Sequence, residues 1–161
     1  MYNPQKEHES TVPDTITLIS DSAVIKTYLD AIEEIEQITF DPPWKKEDFL
    51  TELGSSDSVV MAMLKSGRLI GYLFSKKAID EVQINKVCIH LKFRGCGYGK
   101  LLFGSFVSRM KAAGMKLFLE VESTNTAAVR LYEGYGFKIG RIRKKIYANG
   151  ADAFEMALSG T

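Results

Sequence analysis

Apolar and polar positions follow two different periods along this chain, and each change of period marks an element. Thr15 to Ile19 alternates with the two-residue rhythm of a strand. Ile25, Tyr28, Leu29, Ile32 and Ile35 then recur at helical spacing behind Asp21 or Ser22 as a cap, which predicts one helix with a buried stripe. Phe40-Asp41-Pro42-Pro43-Trp44 ends it, because proline has no N–H to give and pushes the residue before it out of the helical region. Lys46 to Leu53 predicts a short helix stopped by Gly54. Val59 to Leu64 and Leu69 to Lys77, joined by Lys65-Ser66-Gly67-Arg68, predict a β-hairpin.

Asp80-Glu81 turns the chain into a strand expected over Val82 to His90. Gly99 to Ala113 places Leu102, Phe106 and Met110 at four-residue steps and stops at Gly114, so a helix is expected there. Met115 to Val121 predicts a further strand. Asn125 is an expected N-cap for a helix over Thr126 to Tyr135, and Phe137 to Arg143 with Ala153 to Leu158 predict a closing hairpin. Strands and early helices followed by a strand–helix–strand–helix–strand run imply an α/β domain, a mixed sheet with helices on both faces. Residues 1–13, polar and proline-flanked, read as a flexible tail, which leaves 14–161 as one domain.

Composition narrows the function classes. A chain of 161 residues fits one domain, and 45% hydrophobic with 25% charged is ordinary for a globular protein with a sizeable core. The net charge of +1 provides no general field for nucleic acid, so any basic patch must be local. Neither an eighteen-residue apolar run nor a signal-peptide pattern is present, so no membrane association and a cytoplasmic location are expected. The two cysteines, Cys88 and Cys96, do not make a zinc site, and no metal is expected. Cys88 reads as a small buried strand residue. His8 falls in the polar tail, and His90 at a strand end lacks a demonstrated partner for base catalysis.

The candidate chemistry centres on Val87 to Lys100, where an apolar strand runs into Gly95, Gly97 and Gly99 and then a helix. Glycines let backbone approach a ligand, and unpaired N–H groups at a helix start suit a phosphate or pyrophosphate. A Walker loop does not fit, since Arg94 stands where its first glycine belongs and Leu101 where Ser or Thr should be. The dinucleotide fingerprint fails at Lys100, which should be Gly or Ala.

Arg94-Gly95-Cys96-Gly97-Tyr98-Gly99 does resemble the R/Q-x-x-G-x-G/A acyl-CoA loop of the GCN5-related N-acetyltransferase (GNAT) family. Leu117 to Val121, Asn125, Ala127-Ala128, Leu131-Tyr132-Glu133 and Gly136-Phe137 are similar to the branch of that family that acetylates ribosomal-protein alanines. The resemblance covers Asn85 to Phe137 closely, and Phe40 to Trp44 and Gly150 to Leu158 more loosely. It implies a central, mostly antiparallel seven-stranded sheet split between its fourth and fifth strands, with acetyl-CoA in the split. By position, the backbones of Val87, Cys88 and Ile89 would hold the pantetheine arm. Arg94, Gly95, Cys96, Gly97, Tyr98, Gly99 and Lys100 would cradle the pyrophosphate, with Asn125 also touching the cofactor. For Cys96 the backbone matters more than the sulfur, and capping alone would equally explain Asn125.

By the same resemblance Glu120 is the general base and Tyr132 the acid that protonates departing coenzyme A. Glu122 shares the face of Glu120 by two-residue alternation and is its nearest rival, and Glu120 could instead simply pair with a cation. Core packing is the other reading of Tyr132. Trp44 resembles part of an acceptor-side turn, or is a rigid lid on the core, and Tyr147 resembles one of a pair of tyrosines that grip acceptor backbone, though its neighbour here is Ile146. Arg141, Arg143, Lys144 and Lys145 form a basic knot that is either solvated or steers an acidic group. An N-terminal amine, pKa about 7.7–8, is nearly neutral at pH 7, whereas lysine asks roughly 3 kcal/mol more of the base. A protein N-terminus is therefore the expected acceptor, with lysine and polyamines left open. A small-molecule amine, or acyl-CoA sensing without catalysis, are the alternatives, and the spacing does not distinguish a monomer from a homodimer.

Overall fold

The computed structural model describes residues 14–159, so the expected tail lies outside the described residues. The elements are β1 (Ile16–Ile19), α1 (Ser22–Lys26), α2 (Leu29–Thr39), α3 (Lys46–Gly54), β2 (Ser58–Lys65), β3 (Arg68–Ala78) and β4 (Glu81–Ile89). After a 3-10 turn at Leu91–Phe93 come α4 (Tyr98–Ala112), β5 (Lys116–Glu122), α5 (Thr126–Gly134), β6 (Lys138–Arg143) and β7 (Ala153–Leu158). Most bounds fall within a residue or two of the pattern-based expectation.

The early helix is the exception. Its single apolar stripe is carried by two helices, because Thr27 and Tyr28 donate their N–H groups three residues back, to Val24 and Ile25 at 3.0 and 2.9 Å. The Thr27 hydroxyl also donates to the Val24 carbonyl at 2.7 Å. Local bonding of this kind competes with the α-helical ladder, and the chain restarts at Leu29.

The strands form one sheet in the order β1-β2-β3-β4-β5-β7-β6. All pairings are antiparallel except β4 with β5, which run parallel only from Glu81–Ile84 against Lys116–Leu119. Beyond Ile84 the two part. The cause is visible in the register with β3: Phe74 opposes Lys86 and Ser75 opposes Ile84, so Asn85 is an extra residue in β4. A bulge bends its strand. Here β4 stays with β3 as far as Ile89 while β5 continues with β7, and the sheet opens between them.

Two apolar cores hold the layers. α1–α3 cover one face of β2–β4 through Ile25, Ile32, Phe49, Ala62, Tyr72 and Phe74. α4 and α5 cover the other through Leu102, Phe103, Phe106 and Tyr132 against Leu73, Leu117 and Leu119. Phe106 is fully buried, and burying a side chain of that size contributes about 1.5–3 kcal/mol. Along β5, Leu117, Leu119 and Val121 turn to α4, so Phe118, Glu120 and Glu122 turn the other way. Among the described residues, no helix is long and apolar enough to cross a membrane.

Candidate active site

The parting of β4 and β5 opens a cleft of about 450 Å³. Phe40, Asp41 and Pro42 of the turn after α2 form one side of it, and Asn85, Lys86 and Val87 of β4 another. Facing them are Glu120 and Glu122 of β5, Asn125 and Tyr132 of α5, and Tyr147 from the loop between β6 and β7. The structure thus brings together Val87 of β4, Glu120 of β5, Asn125 and Tyr132 of α5, and Tyr147 of the β6–β7 loop, from four separate stretches of sequence.

At one end of the split, the 3-10 turn leads into the glycine loop. His90 caps that turn, its Nδ1 accepting the Lys92 N–H at 3.1 Å. The Arg94 Nε–H donates to the Ile89 carbonyl at 2.9 Å and so braces the loop against the end of β4. Gly95 and Gly97 have φ of +74° and +85°, left-handed values that ordinary side chains rarely adopt. Nothing lies within 4 Å of where a side chain would start at either glycine. Gly97 is the N-cap of the fifteen-residue α4, so the amides of its first turn have no partner within the helix. Open space beside such amides leaves room for a pyrophosphate.

Cys88 is buried, its thiol donating to the Thr39 hydroxyl at 3.6 Å, and burial pushes that thiol up. Cys96 is exposed, its sulfur directed to the Arg94 carbonyl at 3.6 Å. The Tyr98 ring packs beside Phe93 at 6.4 Å and under the Lys65 ammonium at 5.7 Å, so only its backbone belongs to the loop mouth.

Glu120 and Glu122 share the cleft yet differ in company. The Glu122 Oε1 accepts from Asn149 Nδ2 at 2.6 Å and from the Thr124 hydroxyl at 2.7 Å. Those two bonds hold its carboxyl below the usual range, which makes it a poorer proton acceptor than an ordinary glutamate. Glu120 accepts on Oε2 from Arg143 Nη1 at 2.8 Å, and among the described residues its Oε1 has no hydrogen-bond partner. The cation-pairing alternative is therefore realised, on one oxygen only. Burial, and then the charges of Glu120 and Glu122, push the Tyr147 phenol up.

Tyr132 is both core and cleft. Its ring lies 4.9 Å from Phe103, and removal from water raises its hydroxyl to about 12. Tyr135 serves the scaffold instead, since its hydroxyl donates to the Lys100 carbonyl at 2.8 Å and ties α5 to the first turn of α4. Asn125 caps α5, Oδ1 accepting the Ala128 N–H at 3.2 Å.

Residues 29–137 match the Acetyltransferase (GNAT) family. The chain belongs to that family. Acetyl-CoA is therefore its acyl donor, in keeping with the open glycine loop at the start of α4. A Bacillus subtilis protein provisionally named as a ribosomal protein bS18-alanine N-acetyltransferase is 36% identical over 131 residues, 80% of this chain and 87% of that one. The Haemophilus influenzae protein named as a ribosomal protein bS18-alanine N-acetyltransferase is 30% identical over 130 residues, 80% of this chain and 88% of its own length. The crystal structure of the Escherichia coli ribosomal-protein-S18-alanine N-acetyltransferase superposes with a TM-score of 0.82 at 26% identity. That match covers 91% of this chain and 95% of the other.

This GNAT protein keeps other expected residues out of the cleft lining. Trp44 packs against Phe49 and Phe74 at 5.3 and 6.2 Å, while Phe40, Asp41 and Pro42 line the cleft. His90 is engaged in its cap. The basic knot is partly neutralised, since Arg143 meets Glu120 and Glu155, and Lys144 meets Asp152 at 3.1 Å. Among the described residues, no three His, Cys, Asp or Glu side chains gather as a metal site would need. Pattern reading passed over Lys86 and the buried Glu36 beneath it. The signal was there: Glu36 falls four residues after Ile32, an acid on the apolar stripe.

Proposed function

We propose that this acetyltransferase acts on the α-amine of a protein N-terminus, an alanine of a ribosomal protein being the first candidate. The observation that carries the reading is the joint presence of Glu120 and Tyr132 on the walls of the cleft where β4 and β5 part. The names of the relatives that match over four-fifths of the chain support the acceptor.

Acetyl-CoA, when bound, supplies an activated carbonyl and a thiolate leaving group. The first-turn amides after Gly97, with the Gly95 to Lys100 backbone, would hold its diphosphate, and the helix dipole favours that charge. The edge of β4 from Asn85 onward is released by β5, so the backbone of Val87, Cys88 and Ile89 is left to pair with an extended arm. Asn125 would meet the donor at the start of α5.

Glu120 Oε1 takes a proton from the acceptor ammonium, directly or through water, since this carboxylate is about one-third exposed. An N-terminal amine needs little help at neutral pH, which suits a single partly solvated carboxylate. Tyr132 keeps its phenolic proton to about pH 12 and is therefore a competent donor to a departing thiolate. Tyr147 and the Phe40 to Pro42 stretch would flank the entrance for the acceptor. Incubation with acetyl-CoA and a panel of alanine-terminated peptides, read by mass spectrometry, tests the reading. Acetylation confined to the α-amine of such peptides is expected, and acetylation of free small amines alone would overturn it.

A further inference from the structure

We infer that Glu36 and Lys86 are positioning residues, a buried pair that sets the acceptor-side wall of the cleft. The inference rests on the acceptor reading above. Glu36 stands in the last turn of α2 and is fully buried. Its Oε2 accepts from the Tyr72 hydroxyl of β3 at 2.6 Å, and its Oε1 accepts the Trp44 N–H at 2.8 Å. Lys86 Nζ donates to the same Oε1. One carboxylate thereby fastens a helix end, the proline-rich turn and two strands.

Lys86 follows the bulged Asn85, at the point where β4 leaves β5, and it lines the cleft. Its ammonium lies 3.7 Å from the centre of the Phe40 ring and 4.9 Å from that of Trp44. Such contacts favour a desolvated cation under an aromatic face. Phe40 is therefore held over the strand by the charge beneath it, and Asp41 and Pro42, the next two residues of the wall, follow from where Phe40 sits.

Stability is a weak reason for this arrangement, because apolar residues of similar volume often replace a buried ion pair with no loss. What apolar packing cannot do is fix the Trp44 N–H and the Phe40 ring at one height above β4. The network's product is the geometry of the turn. Among the described residues, the partners of the Glu36 and Lys86 side chains are each other, Tyr72, Trp44 and Phe40, and neither side chain bonds to the glycine loop or to β5. The pair therefore acts on the turn, while the β4 backbone that would hold the donor arm stays paired with β3.

The test uses the full chain with acetyl-CoA and an alanine-terminated decapeptide. The double variant Glu36→Gln/Lys86→Met removes both charges while leaving an oxygen for Trp44. It should raise KM for the peptide at least tenfold and leave KM for acetyl-CoA within twofold. Trp44 is the single tryptophan of the chain, so acrylamide quenching of its fluorescence reports the turn without any turnover. The quenching constant should at least double. A folded double variant with peptide KM within twofold of the parent overturns the inference. Should the double variant not fold, Tyr72→Phe, which removes one hydroxyl and keeps the ring, takes its place with an expected threefold rise in peptide KM, and no rise overturns the inference. If the parent protein acetylates no alanine-terminated peptide, the acceptor reading fails by itself. The quenching constant then decides, and an unchanged value overturns the positioning role.

Discussion

Arg143 Nη1 donates to Glu120 Oε2 at 2.8 Å, while its Nε stands 3.7 Å from Glu155 Oε1. Glu120 and Glu155 face each other across β5 and β7, so β6 supplies the cation that two adjacent carboxylates require. All three side chains are between one-third and two-fifths exposed, and ion pairs in that setting are worth about 0–1 kcal/mol. The pairing matters more for where it leaves the second oxygen of Glu120.

Arg143→Met should therefore disturb activity more than stability. With Oε2 released, Glu120 can swing toward solvent, and kcat is expected to fall about tenfold while the unfolding midpoint in urea barely moves. A variant that loses stability and activity in equal measure would show that Arg143 only staples β6 to the sheet.

Tyr132 makes a paired prediction in kinetics and in pH. Tyr132→Phe keeps the packing on Phe103 and Phe137 and deletes the proton, so kcat should drop 10- to 100-fold with KM for acetyl-CoA nearly unchanged. The hydroxyl titrates near 10 when unfolded and about 12 when folded. Its contribution is therefore whole below pH 10 and is lost as the pH rises from about 10 to 12, at about 1.36 kcal/mol per unit. The parent should lose more stability than Tyr132→Phe between pH 9 and pH 11. Equal losses in urea titrations at the two pH values would contradict the burial of this hydroxyl.

The sheet and its helices were legible because periodicity and glycine punctuation report local geometry. Gly114 and Asn125 end and begin helices as expected, and the glycine loop could be placed from its spacing alone. Three features could not be read this way. Thr27 breaks a continuous apolar stripe through its own hydroxyl bond, which periodicity ignores. The bulge at Asn85 is a register relation between two strands, visible only once both are paired. Arg143 reaches Glu120 from 23 positions away, a distance that only the β5-β7-β6 order makes short. The elements that carry the candidate residues were apparent, whereas contacts assembled by strand pairing were not.

Gly71 tests the packing beneath the split. A methyl there would begin 2.5 Å from Ile89 Cδ1 and 2.8 Å from the Cys88 carbonyl oxygen. The isoleucine can turn, but the carbonyl belongs to the strand. Gly71→Ala should cost about 1–3 kcal/mol as an overpacked site and lower Tm by several degrees in calorimetry. Because β4 must shift to relieve the contact, KM for acetyl-CoA should rise as well. An unchanged Tm would mean that β3 and β4 are not so closely apposed.

Gly97 offers the opposite case, a glycine with room around it and a constraint in its backbone. At φ +85° an alanine is strained by about 1 kcal/mol, and nothing within 4 Å would clash with its methyl. Stability should fall only by that amount. The new methyl, however, would stand in the open space at the N-terminus of α4, beside the first-turn amides proposed above to hold the diphosphate. Gly97→Ala is accordingly expected to raise KM for acetyl-CoA at least tenfold while leaving KM for an alanine-terminated peptide within twofold. Binding of coenzyme A measured by calorimetry should weaken in parallel. If that affinity is untouched while the strain appears in urea unfolding, the diphosphate is held elsewhere, and the assignment of this loop as the donor cradle fails with it.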